Sequence, residues 1–160
     1  MSTPEFPAEQ PANQPGGTPA PLASWGTRAI GFIIDAAPVW ILQLIFFRSS
    51  AINVLVSLVS IGYIAYIGHL EGISGQTPGK AIMGIKLVNQ QGQLIGSGSG
   101  IGRKFVHILD NIVCLLGWLL PIVDSKRQTI ADKVMSTFVV SGLEKKPFSV
   151  DLWTPPKPAA

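Results

Sequence analysis

The chain has 160 residues, of which 47% are hydrophobic and only 13% charged, with a mean hydropathy of +0.38. A soluble domain carries about twice that charged share, which argues against an ordinary soluble enzyme and against wholesale disorder. The net charge of +3 would point to nucleic acid if the basic residues formed a patch. They flank apolar segments instead, as loop residues of membrane proteins do, so no nucleic-acid partner is expected.

Residues 1–24 hold Pro4, Pro7, Pro11, Pro15, Pro19 and Pro21 among Ala, Gln, Ser, Thr and Gly. Such a segment buries too little apolar surface to offset its ordering entropy and reads as a disordered tail. It has neither a basic n-region nor an apolar h-region, so it does not read as a signal peptide.

A first apolar segment runs from about residue 25 to 47, with Asp35 as the one charge between Ala29 and Phe47. A second runs from about 51 to 70 and is uncharged. Each reaches the roughly 20 residues a helix needs to cross a bilayer. Arg48-Ser49-Ser50 between them predicts a tight antiparallel hairpin. Asn53, Ser57, Ser60 and Gly62 suit helix–helix contact in the second span.

Gly72 to Gly102 contains nine glycines. Within it, two short apolar runs around Asn89-Gln90-Gln91-Gly92 predict a small β-hairpin. Gly75-Gln-Thr-Pro-Gly79-Lys80 fails the phosphate-loop pattern, which needs four residues between the glycines and Ser or Thr after Lys. Gly96-Ser-Gly-Ser-Gly-Ile-Gly102 fails the dinucleotide pattern and reads as a flexible linker.

A third apolar segment covers residues 105–123 and carries His107, Asp110 and Asn111. If it crosses, the Lys/Arg residues split five against seven and give no orientation. If it re-enters, eleven of the twelve fall on one side, which places both termini in the cytoplasm. Leu152 to Ala160, with Trp153 and three prolines, closes a C-terminal tail spanning 143–160.

Asp35 is the sharpest residue. It lies about 12 Å below Thr27 along the first helix, near the middle of a ~30 Å hydrocarbon core. A carboxylate there must be protonated, paired or beside a wet cavity. It reads either as a cation or proton site or as a structural partner of a base such as Arg28, two turns earlier. His107, Asp110 and Cys114 share a helical face, but no second His or paired carboxylate supports a metal there, and a hydrogen-bonded helix contact is the simpler reading. One cysteine forms no internal disulfide or zinc set. No catalytic triad, HExxH or catalytic carboxylate pair is spaced for chemistry, so no enzyme, metal or cofactor is expected.

In order along the chain stand Arg28 and Asp35, then Gly75-Gln-Thr-Pro-Gly-Lys-Ala-Ile-Met-Gly-Ile-Lys-Leu-Val88, then Arg127-Gln-Thr-Ile-Ala-Asp132, then Thr137-Phe-Val-Val140. Together they resemble the RDD family of membrane proteins over about residues 22–142. Arg28 and Asp35 match that family's first Arg and Asp, and Asp132 its second Asp. A proline-rich tail ahead of such a domain is similar to actinobacterial proline-rich antigen proteins. The resemblance implies no settled activity, with cation/proton transport among the roles it brings.

The resulting expectation is an all-α integral membrane protein of the cell membrane. It has two transmembrane helices, a third spanning or re-entrant segment and a domain covering residues 25–142. Arg28, Asp35, Asp132 and Asp110 are its candidate ion or proton site. Its partners are the lipid bilayer and either further copies of itself or other membrane proteins. The functional alternatives are transport and a non-catalytic accessory or assembly role.

Overall fold

The computed structural model describes residues 20–46, 50–112 and 116–156. It is mostly helical, with one two-stranded sheet. Helix α1 spans Trp25–Phe46 and α2 spans Ser50–Ser74. Both are long and apolar enough to cross a bilayer, and only 11% and 22% of their most apolar windows are buried within the protein. A soluble protein covers such helices, whereas here Ile33, Trp40, Ile41, Leu44, Val54, Leu55 and Leu58 stand exposed. This is the surface of a membrane protein, whose solvent is lipid. The connection at 47–49, where the tight turn was expected, lies outside the described residues. The two helices run antiparallel, with the Tyr63 hydroxyl donating to the Asp35 carbonyl at 3.1 Å.

The polar region after α2 is more ordered than its glycine content suggests. Helix α3, Pro78–Met83, is bracketed by its own sequence. Thr77 is the N-cap and accepts from the Lys80 N–H, Pro78 occupies the first turn, and Gly84 closes the helix in the left-handed conformation at φ 65°. The stretch that failed as a phosphate loop is therefore a capped helix.

Strand β1, Lys86–Asn89, does not turn back on itself. The expected local hairpin is replaced by antiparallel pairing with β2, Thr137–Val140, from Lys86 opposite Val140 to Asn89 opposite Thr137. Asn89 instead caps the turn, its Oδ1 accepting from the Gln91 and Gln93 N–H groups. Burial decides the pairing. Val88, Phe138 and Val140 pack with Ala20 on one face, and Leu87 and Val139 with Ala23 and Ile85 on the other. Gln91 and Gln93 have no such apolar alternation to offer. Residues 20–24, expected within the disordered tail, belong to this core. Leu22 bridges Val140 and the Ala23 N–H donates to Val139 at 2.9 Å.

The predicted linker at 96–102 is also corrected. Helix α4 starts at Ser97 and runs to Ile112, and α5 spans Leu116–Val123. Gly68 and Gly72 of α2 lie against Gly96 and Gly100, so that the backbones touch. A Cβ on Gly68 would sit 2.8 Å from the Ile101 Cα, and one on Gly72 would collide with the Gly96 carbonyl. Gly68 and Gly72 of α2 are thus small residues four apart, the spacing that lets membrane helices approach closely, and they meet Gly96, just ahead of α4, and Gly100 in its first turn. The segment 97–123 begins beside Gly72 and is followed by Arg127, whose carbonyl accepts from Arg28. Gly96 and Arg127, which flank that segment, thus meet the finish of α2 and the start of α1 respectively.

Helix α6, Ile130–Val134, opens with a capping box between Thr129 and Asp132. The region expected as a C-terminal tail lies along the domain. The Lys146 N–H donates to the Ala81 carbonyl at 3.1 Å. A 3₁₀ turn at Val150–Trp153 places Trp153 on α2, where Tyr66 donates to its carbonyl at 2.6 Å and its indole N–H donates to the Tyr63 hydroxyl at 3.2 Å.

Candidate functional site

Five elements deliver charge to one buried cluster. Arg28 comes from the first turn of α1, Glu71 from the last turns of α2, Arg103 and Lys104 from α4, and Asp132 from α6, with Lys80 added from α3. Glu71 and Asp132 are 0% exposed and Arg103 is 1% exposed. Charges so deep persist only when paired. Arg28 and Arg103 each donate to a different oxygen of Asp132. Arg103 also reaches both oxygens of Glu71 at 3.2 Å. Glu71 further binds the Lys80 ammonium at 2.7 Å and that of Lys104 at 2.9 Å.

The backbone positions Asp132 as well. Its Oδ2 accepts from the Thr129 N–H at 3.1 Å and its Oδ1 from the Thr137 hydroxyl at 3.2 Å. Burial pushes this carboxyl up, but the Arg103 and Arg28 guanidiniums outweigh burial and hold it far below the usual carboxylate range. Lys80 moves down. Burial lowers it most, Glu71 opposes, and the neighbouring cations Lys104 and Arg103 lower it further.

Asp35 stands beside this cluster rather than within its ion pairs. Arg28, considered above as its structural partner, does not bond to it: that guanidinium donates to Asp132 and to the Arg127 carbonyl. Asp35 accepts instead from the Thr77 hydroxyl and from the Gly79 N–H, the latter at 2.7 Å. Glycines make this possible: a Cβ on Gly79 would strike the Gly31 carbonyl of α1. The midspan acid is thus covered by the N-terminal turn of α3.

The fold joins Arg28 and Asp132 as direct partners and sets Asp35 next to them through α3. Asp110 falls within the range of α4, but its side chain lies outside those described, as do Asn111 and Cys114. Among the described residues no three His, Cys, Asp or Glu side chains converge to hold a metal ion. Sequence reasoning missed Glu71, Arg103, Lys80 and Lys104 as site residues. The signal for Glu71 was present, since it is the single acid ending an otherwise uncharged apolar helix. Arg103 carried no comparable mark and was counted only as a flanking charge.

A cavity of about 360 Å³ opens between α1, α2 and α4. Arg28, Lys80, Arg103 and Lys104 line it together with Asp35 and His107, and its remaining walls include Phe32, Trp40, Ile61, Ile64 and Phe105.

Residues 22–136 match the model of the RDD family. The chain is 32% identical over 148 residues to a protein of Mycobacterium tuberculosis called "Proline-rich antigen homolog", covering 72% of this chain and 62% of that protein. It is 39% identical over 82 residues to the "Proline-rich antigen" of Mycobacterium leprae, covering 50% of this chain and 33% of that protein. Over 78 residues it is 37% identical to "Uncharacterized protein YxaI" of Bacillus subtilis, covering 48% and 51%. The chain therefore spans less than two thirds of the length of these relatives. No solved structure matches it.

Proposed function

The chain belongs to the RDD family, and from that premise we propose that it is a non-catalytic accessory or assembly subunit of the cell membrane. The observation that carries this reading is the saturation of its buried carboxylates. Asp35 takes a hydroxyl and an N–H, Glu71 takes three cations, and Asp132 takes two guanidiniums, a hydroxyl and an N–H. Carboxylates so occupied act as a clasp that holds α3, α4 and α6 against the α1–α2 pair. A cation entering the site would have to displace those donors. The lipid-facing surfaces of α1 and α2 are then the surfaces offered to other membrane proteins.

In this reading the third apolar segment, 105–123, re-enters, so that eleven of twelve Lys/Arg share one face of the membrane. Gly96 against Gly72 ahead of it and Arg127 bonded to Arg28 after it support that path. Cysteines placed at Ser2 and Lys157 should be labelled from the same, cytoplasmic side. Labelling from opposite sides refutes re-entry.

Asp35 also lines the cavity, and that position favours a second reading, cation or proton handling by an oligomer, because two spans enclose no pathway alone. Purification in mild detergent together with proteoliposome flux separates the two. An accessory subunit co-purifies in a stoichiometric larger complex and shows no flux. A homo-oligomer whose flux is abolished by Asp35→Asn, with assembly intact, overturns the accessory role.

A further inference from the structure

The cavity between α1, α2 and α4 is polar at one end and apolar along its length. On α1 its lining passes from Arg28 through Phe32, Asp35, Ala36 and Val39 to Trp40. Twelve residues of helix separate its two extremes, about 18 Å. On α2 the lining passes in the opposite chain direction from Ile67 through Ile64 to Ile61. The cationic end is where Lys80 and Lys104 converge on Glu71. From this shape and charge we infer that the cavity binds an anionic phospholipid, with the phosphate among Lys80, Lys104 and Arg28 and an acyl chain lying along α1 toward Trp40.

Three observations support that occupant. Each lysine ammonium has three N–H donors and makes one bond, to Glu71, so each keeps donors for phosphate oxygens. Among the described residues, four cations (Arg28, Lys80, Arg103, Lys104) meet three carboxylates (Asp35, Glu71, Asp132), an excess of positive charge that an anion neutralises. Among the described residues the lining adds His107 on α4 and Tyr63 on α2 as further titratable groups. Basic pockets between membrane helices are a recurrent form of lipid headgroup site. The lowered affinity of Lys80 for its proton, caused by burial and by Lys104 and Arg103 beside it, is relieved by the same anion.

The chemistry shared by a lipid headgroup and free phosphate is the phosphate itself, and the apolar length commits the site to the lipid. The test is native mass spectrometry of the full chain in detergent at 0.15 M salt (about 8 Å screening length). The probes are dioleoyl phosphatidic acid, dioleoyl phosphatidylcholine and inorganic phosphate. Phosphatidic acid should bind at least about tenfold tighter than phosphatidylcholine, a difference of about 1.4 kcal/mol, and inorganic phosphate should neither bind nor raise the melting temperature. Lys104→Gln should erase most of the preference. Because that change also removes a partner of Glu71, Ala36→Phe is the second variant. It fills the apolar half without touching a charge and should bring phosphatidic acid down to the level of phosphatidylcholine. Equal binding of the two lipids in the wild type, an equal effect of phosphate alone, or a preference that survives Ala36→Phe overturns the inference.

Discussion

Replacing Asp132 by Asn keeps the shape of the side chain and removes its charge. The two oxygens of Asp132 receive four donors: Arg28 and the Thr129 N–H on Oδ2, Arg103 and the Thr137 hydroxyl on Oδ1. An amide in either orientation turns an NH₂ group toward one guanidinium and one further donor. One charge-assisted bond, worth about 1.5–3 kcal/mol, is lost outright, and the remaining one is weakened. Neither guanidinium can move to water, since Arg103 is buried and Arg28 nearly so. Breaking a buried pair in this way costs about 3–5 kcal/mol. For a chain of this size each kcal/mol moves the melting temperature by about 2–4 °C, so Asp132→Asn should melt roughly 6–20 °C below wild type when followed by tryptophan fluorescence in detergent. Adding Arg28→Gln removes one stranded cation while Arg103 keeps Glu71, so the double variant should recover part of the loss. A single-variant shift under about 2 °C, or a double variant less stable than Asp132→Asn alone, refutes the clasp.

Helix contact gives a paired prediction. Gly72→Ala drives a Cβ into the Gly96 carbonyl and should cost about 1–3 kcal/mol by overpacking. Gly102→Ala meets nothing within 4 Å and should stabilise α4 by up to about 1 kcal/mol; equal effects in thermal melts would disprove the close approach. Acid sensitivity follows from Asp132. Its folded carboxyl titrates below the ordinary value of 3.8, so its stabilisation is complete above about pH 4 and lost as pH falls further. Melting temperatures should drop from pH 4 downward in wild type and much less in Asp132→Asn, and parallel profiles would remove Asp132 as the cause. Deleting residues 1–19 should leave the melting temperature unchanged. Deleting through Ala23 should lower it, because Ala20 and Ala23 are buried in the sheet core; equal melting of the two truncations contradicts that packing.

The two long helices were legible because span length and absence of charge are properties of contiguous sequence. Arg28 was legible from its place two turns before Asp35, and Asp132 only through resemblance; their partnership was not legible at all, since nothing local links positions 104 apart. The strand pairing failed for a related reason. Asn89-Gln-Gln-Gly92 is a genuine turn, with the Gly92 N–H donating to Asn89 at 3.0 Å, yet the apolar face of β1 is satisfied by Phe138 and Val139, far along the chain. The glycines of 96–102 read as a linker because helix propensity disfavours them. Their use is visible only once Gly68 and Gly72 are seen opposite. The caps of α3 and α6 are by contrast written locally, in Thr77-Pro78 and in Thr129 with Asp132.

The distance along the chain between Arg28 and Asp132 also sets an order of events during synthesis. The guanidinium leaves the ribosome 104 residues before the carboxylate that will hold it. At 5–20 residues per second that interval is roughly 5–20 s. Well before its end α1 and α2 are complete and long enough to insert, while β1 waits for β2 and Arg103 for half its carboxylate partners. The two apolar helices are thus complete before the clasp and the sheet, both of which wait for the segment from Asp132 to Val140. A chain stopped before Asp132 should hold both helices in the bilayer and leave the Arg28 and Arg103 guanidiniums without the carboxylate they share.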